Sequence, residues 1–169
     1  MSAPDIRTPR LHIRAMREAD LPALVALWTD PDVTRFMGGP READRLRETL
    51  SEDLAPDAPG FSLWPVEEIA TGRVVGHCGI LDKDVDGRLE YELVYVLARE
   101  DWGRGLATEA AAALRDYAFG TLGLQRLISL IEPGNIASER VARKVGMVLE
   151  GEIPRPGGRA MLLYAVSRP

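Results

Sequence analysis

Asp101-Trp102-Gly103-Arg104-Gly105-Leu106-Ala107-Thr108-Glu109-Ala110 is the stretch on which the reading of this chain turns. Before it, Arg88 to Ala98 reads as a strand. From Leu106 onward, Ala110, Ala113, Leu114, Tyr117 and Ala118 recur at helical spacing, so a helix opens inside the segment and ends near Gly120 to Gly123. The first turn of a helix leaves backbone N–H groups unpaired, and the helix dipole makes that end positive. Gly103 and Gly105 keep side chains out of the path of a phosphate, and Ala107 keeps the same wall low, so the segment is suited to an anion. Two glycines before a helix also serve simply as a tight turn. A Walker loop would need Lys after its second glycine, where Leu106 stands. A dinucleotide fold would need a third glycine and an early βαβ unit, and this turn comes late.

Working outward, Phe61–Glu67, Arg73–Leu81 and Arg88–Ala98 form a predicted meander. Thr71-Gly72 and Asp84–Gly87 are its turns. Upstream, Arg10 to Arg14 alternates as a half-buried strand does. Asp20 is placed to cap a helix reaching Trp28, with Pro22 in its first turn. Asp30-Pro31-Asp32 reads as a helix stop, or as charges that attract a cationic amine. Glu42–Leu54 is a second helix, and Ala55–Gly60 a connection too short for a domain linker. Downstream, Arg126–Ile131 is a short apolar strand. Asn135 opens a helix that Gly146 ends. Met147–Ile153 and Ala160–Val166 are closing strands around a Pro154–Gly158 turn. This order predicts one α/β (α+β) domain over residues 1–169, a mixed sheet with helices on its faces.

Composition narrows the function. The 169 residues carry a net charge of −5, with Arg scattered among acids, so nucleic acid is a poor partner. No apolar run is long enough for a membrane span, and the N-terminal residues lack the apolar core of a secretory signal. The one cysteine, Cys78, fits a reducing, cytoplasmic setting. His12 and His77 have no ligand-spaced neighbours, so no metal is expected.

Trp102–Ala110 resembles the coenzyme A signature of the GNAT superfamily of N-acetyltransferases, in the form found in its RimJ/RimL-like branch. That branch is similar also at Thr8–Arg14, Glu18–Asp20, Asp30–Val33, Asn135–Met147, Gly151-Glu152 and Leu163-Tyr164, which together span nearly the whole chain. The family's general signature begins with Gln or Arg, where Trp102 stands. The resemblance implies a mostly antiparallel mixed sheet with splayed strands, acetyl-CoA as co-substrate, and a primary amine as acceptor, on a protein N-terminus or a small molecule. A homodimer fits family habit. Pyrophosphate contacts fall to backbone N–H groups around Arg104, Gly105, Ala107 and Thr108, with the Thr108 hydroxyl in addition, and Trp102, Gly103 and Leu106 complete the coenzyme-binding segment. The pantetheine arm would lie between the third meander strand and Arg126–Ile131, paired with the backbone of Val94, Tyr95 and Val96. Asn135 and Ser138 are further coenzyme contacts, or only caps of their helix.

Acetyl transfer needs a neutral amine, an aligned approach and a donor for the developing oxyanion. An N–H near Val94 or Tyr95 would serve the oxyanion in the family's manner. Glu92 matches the glutamate that some family members use as base through water. Glu90 shares its face by strand alternation, and both would equally suit a solvated face. A lysine amine of pKa ~10.4 costs ~4.6 kcal/mol to neutralise at pH 7, an α-amino group only ~1 kcal/mol, so the base's burden depends on the acceptor. Where many relatives place a Tyr to protonate the thiolate, this chain has Ala142, which leaves Ser138 or a water. The acceptor pocket is expected between Trp28–Met37, with Phe36, and the late turn around Arg155. A non-catalytic acyl-CoA sensor is the alternative reading.

Overall fold

The computed structural model describes residues 3–54, 61–155 and 157–169. The Ala55–Gly60 connection and Pro156 of the expected late turn lie outside them. Eight strands form one sheet in the order β1-β2-β3-β4-β5-β6-β8-β7. They are β1 (Ile6–Arg7), β2 (Leu11–Ile13), β3 (Leu63–Glu68), β4 (Val74–Val85), β5 (Arg88–Leu97), β6 (Arg126–Ile131), β7 (Val148–Arg155) and β8 (Arg159–Ser167). Every pairing is antiparallel except β5 with β6. The expected mixed sheet is therefore present. β4 runs further than the sequence suggested, to Val85, and Asp86-Gly87 alone turns the chain, both with positive φ as a two-residue hairpin requires.

Strand alternation divides the apolar residues between two faces. Cys78, Ile80, Leu93 and Leu97 pack under α3 (Leu106–Gly120), where Leu106, Ala110, Ala111 and Leu114 are buried. The small residues let α3 lie close on the sheet. α4 (Ile136–Lys144) adds Ala142 to the same core. On the opposite face, Val94 and Val96 meet Leu24, Leu27 and Trp28 of α1 (Leu21–Thr29) and Leu50 of α2 (Ala43–Glu52).

Asp20 does not cap α1 as expected. Its carboxylate makes a bidentate pair with the buried Arg14 at 2.7 and 2.9 Å and accepts the Arg17 N–H. Burial alone would raise its pKa; those donors outweigh burial and hold it below the usual carboxylate range. Asp30 does stop α1: its Oδ1 takes the N–H groups of Asp32 and Val33. Asp32 is paired with Arg99.

Candidate active site

The parallel pair β5–β6 holds at one register position, Glu92 opposite Ile128, and then separates. Side chains end the ladder by taking over its hydrogen bonds. Ser129 Oγ donates to the Leu93 carbonyl at 2.7 Å, and the Leu130 N–H donates to Glu92 Oε1 at 3.4 Å. A continued parallel ladder would have joined that N–H to the Leu93 carbonyl. Ser129 is 2% exposed in a strand that is otherwise apolar after Arg126, and this lone hydroxyl is the sequence's one sign of the split. Replacing it by Ala strips a buried carbonyl of its donor. Urea denaturation should then show a loss of about 1–3 kcal/mol; an unchanged midpoint would mean the hydroxyl does not hold the wedge.

The Ala98 N–H donates to the Val75 carbonyl, which fixes the alternation along β5. Even-numbered residues aim their N–H and C=O at β4, and odd-numbered residues aim theirs at the wedge. Of Val94, Tyr95 and Val96, Tyr95 alone directs its peptide groups into the wedge. Val94 and Val96 direct their peptide groups into the β4 ladder and offer the site only side chains.

At the wide end of the wedge stands the glycine turn. Gly103 and Gly105 have φ of +74° and +78°, a left-handed conformation that costs other residues about 1–2 kcal/mol. Their role is thus handedness as much as clearance. An added Cβ at Gly103 would meet nothing within 4 Å, and one at Gly105 would meet the Arg10 guanidinium. The N–H groups from Gly103 to Thr108 find no acceptor among the described residues. The turn is braced from behind. Arg104 reaches back to Asp101 at 2.7 Å and to Glu68, while Arg10 donates to the Arg104 carbonyl and to Glu109. Asp101, 2% exposed, also takes Arg73. Glu109 in the first turn of α3 would repel an anion, yet it faces away. Burial works against its charge, but Thr8 and Arg10 hold its pKa below the ordinary value.

Two cavities flank the strand. One of about 550 Å³ is lined by Trp102, Gly103, Gly105, Leu106, Ala107 and Thr108, by Val96, and by the cations Arg35, Arg99, Arg140 and Lys144. Its carboxylates, Asp32 and Asp101, are both already ion-paired. The other, about 370 Å³, holds Glu92, Val94, Trp28, Arg41, Lys83, Glu132 and Arg159. Phe36, Met37, Tyr95, Asn135 and Ser138 line both, so the cavities meet beside Tyr95. Of the residues nominated from sequence, Arg104 lines neither, because its side chain serves the brace. The second wall of the smaller cavity is also a correction. Arg159 and Met161 of β8 form it, while Arg155 turns to the Asp84 carbonyl at 3.3 Å.

Within the smaller cavity, burial raises the Glu92 pKa. Lys83, 3.6 Å away, and the Leu130 N–H pull it back only in part. Glu90 is engaged with Arg126 instead. Asn135 Oδ1 accepts the Ser138 N–H at 3.3 Å, and the Tyr95 hydroxyl donates to the Ser138 carbonyl at 2.9 Å. Burial pushes the Tyr95 phenol up, which makes it a poor proton donor. Ala142, where relatives were expected to carry a Tyr, is fully buried in the α3–α4 core.

A model of the GNAT acetyltransferase domain matches residues 10–148. The chain is a GNAT acetyltransferase. It is 37% identical to the Bacillus subtilis protein YkkB over 142 residues, 83% of each chain. It is 32% identical over 171 residues to the N-acetyltransferase p20 of Bacillus licheniformis, covering 95% of this chain and 93% of p20. An acetyltransferase crystal structure from Agrobacterium tumefaciens superposes with a TM-score of 0.82 at 33% identity, over 99% of this chain and 96% of that one. The protein is accordingly an acyltransferase.

Proposed function

We propose that this acetyltransferase, of the RimJ/RimL-like branch, moves an acetyl group from acetyl-CoA to a primary amine by direct attack in a ternary complex. The carrying observation is the meeting of two cavities beside Tyr95, one ending on unpaired helix amides and four cations, the other on a part-buried carboxylate. The pyrophosphate lies on the N–H groups of Gly103 to Thr108. The pantetheine arm extends the broken ladder through the wedge, an amide N–H of the arm donating to the Tyr95 carbonyl. This delivers the thioester to the place where Phe36, Asn135 and Ser138 line both cavities.

The acceptor enters from the other side. Glu92, directly or through a water, takes a proton from the ammonium so that the nitrogen lone pair can add to the thioester carbon. The Tyr95 N–H faces the wedge and donates to the oxyanion. Collapse of the tetrahedral adduct breaks the C–S bond; the thiolate takes a proton from Ser138 or a water, and the second proton of the former amine, lost as the neutral amide forms, returns to that donor. A base whose pKa is raised by burial suits proton removal near neutral pH.

Thiol release measured with acetyl-CoA and a panel of amines, with products identified by mass spectrometry, tests the reading. Amine-dependent release with a +42 Da product is expected. Coenzyme binding without turnover on any amine would instead make the protein an acyl-CoA sensor.

A further inference from the structure

The acceptor cavity of the proposed transferase carries five charged side chains. Two ion pairs account for four of them: Lys83 with Glu92 at 3.6 Å, and Arg159 with Glu132 at 3.4 Å. Arg41 is the fifth, and it meets no carboxylate among the described residues. Its place is nonetheless fixed. Its backbone N–H donates to the Trp28 carbonyl at 2.9 Å, its guanidinium stands 5.4 Å from the centroid of the Trp28 ring, and one nitrogen donates to the Gly39 carbonyl at 2.7 Å.

Trp28 is in turn held. Its indole N–H donates to His77 Nδ1 at 3.0 Å, and burial lowers the His77 pKa to about 4, so that acceptor is neutral and constant across physiological pH. A guanidinium spends one N–H on Gly39 and keeps others for a ligand, in a fork that fits a carboxylate. The cation–π contact with Trp28 and the bond to Gly39 hold the guanidinium at the cavity before any ligand arrives.

We infer that Arg41 binds an anionic group on the acceptor, so that the preferred substrates are primary amines that also carry a carboxylate. The amine end approaches Glu92 and the thioester carbon, and the carboxylate end docks on Arg41. A polyamine would instead bring a second ammonium into a cavity whose cations already outnumber its carboxylates by one. This inference rests on the transferase reading above, and it selects within the acceptors that reading allows.

The test compares ω-amino carboxylates with their matched carboxamides, and both with spermidine, in the thiol-release assay. Chain lengths are varied, and the amines of each pair have similar basicity. The wild type should use the best carboxylate with a kcat/KM at least tenfold above its carboxamide, with spermidine below both. Arg41→Gln should bring the carboxylate-to-carboxamide ratio close to one, chiefly through KM, while Arg41→Lys restores part of it. Coenzyme affinity, measured on each variant, reports that it is folded. A wild-type preference for spermidine or for carboxamides, or a ratio that survives Arg41→Gln, overturns the assignment of Arg41 and leaves the transferase reading intact. Failure of every amine with coenzyme still bound overturns both.

Discussion

Glu92→Gln should lower kcat/KM by about 10²- to 10⁴-fold, the usual span for losing a positioned general base. The carboxylate lines the acceptor cavity, part-buried beside the wedge, with Ile128 opposite it and Leu130 bonded to it. The pH profile carries the sharper signature. In the wild type, kcat/KM should fall on the acid side with an inflection above the ordinary carboxylate range, because burial raises this pKa. In the Gln variant that limb should vanish and leave only the limb of the amine. Stability should move the other way. A group whose folded pKa is raised contributes stability below its unfolded pKa and loses it as pH rises through the folded value. A permanently neutral Gln avoids that loss, so the variant should melt no lower than the wild type at pH 8, with any advantage shrinking toward pH 4. A variant that keeps its rate, or keeps the acid limb, would remove Glu92 from the mechanism.

Thr108→Glu should separate folding from coenzyme binding even more cleanly. Thr108 is the third residue of α3 and lines the larger cavity. A carboxylate there complements the helix dipole, which favours the fold by about 0.3–1 kcal/mol. The same charge faces the bound diphosphate. Like charges about 4 Å apart repel by on the order of 4 kcal/mol at an effective dielectric of 20. Allowing for screening, coenzyme A affinity should fall by roughly 30- to 1000-fold while the melting temperature holds or rises. Calorimetric titration and thermal melts read the two effects. Tight binding by the variant would place the diphosphate elsewhere.

Much of this site could be read from the chain because its signals are local. The switch from period two to period three and a half at Leu106, the paired glycines before it, and the cap-and-stop residues Asn135 and Gly146 all act within a few positions of themselves. β6 falls on Arg126–Ile131 as expected. What escaped depends on distant partners. Asp20 has the sequence of a cap, but Arg14, just past the end of β2 and itself bonded to Glu67 of β3, claims its carboxylate. β1 has two residues, too few to show a period. The Ser129 hydroxyl acts on the Leu93 carbonyl, 36 residues away, so nothing near it in the chain marks its role. Arg155 and Arg159 are both arginines in one hairpin, and only the register Arg155 to Arg159, with Asp84 nearby, decides which of them lines the cavity. The choice of Tyr95 over its neighbours likewise follows from the β4 register.

An amide-resolved NMR titration with coenzyme A tests the central claim most directly. The N–H signals of Gly103 through Thr108 should shift downfield and gain protection from exchange, joined by Tyr95, and dephosphorylated pantetheine should move Tyr95 alone. If saturating coenzyme A leaves Gly103 to Thr108 where they were, the head of α3 does not hold the diphosphate and the account fails.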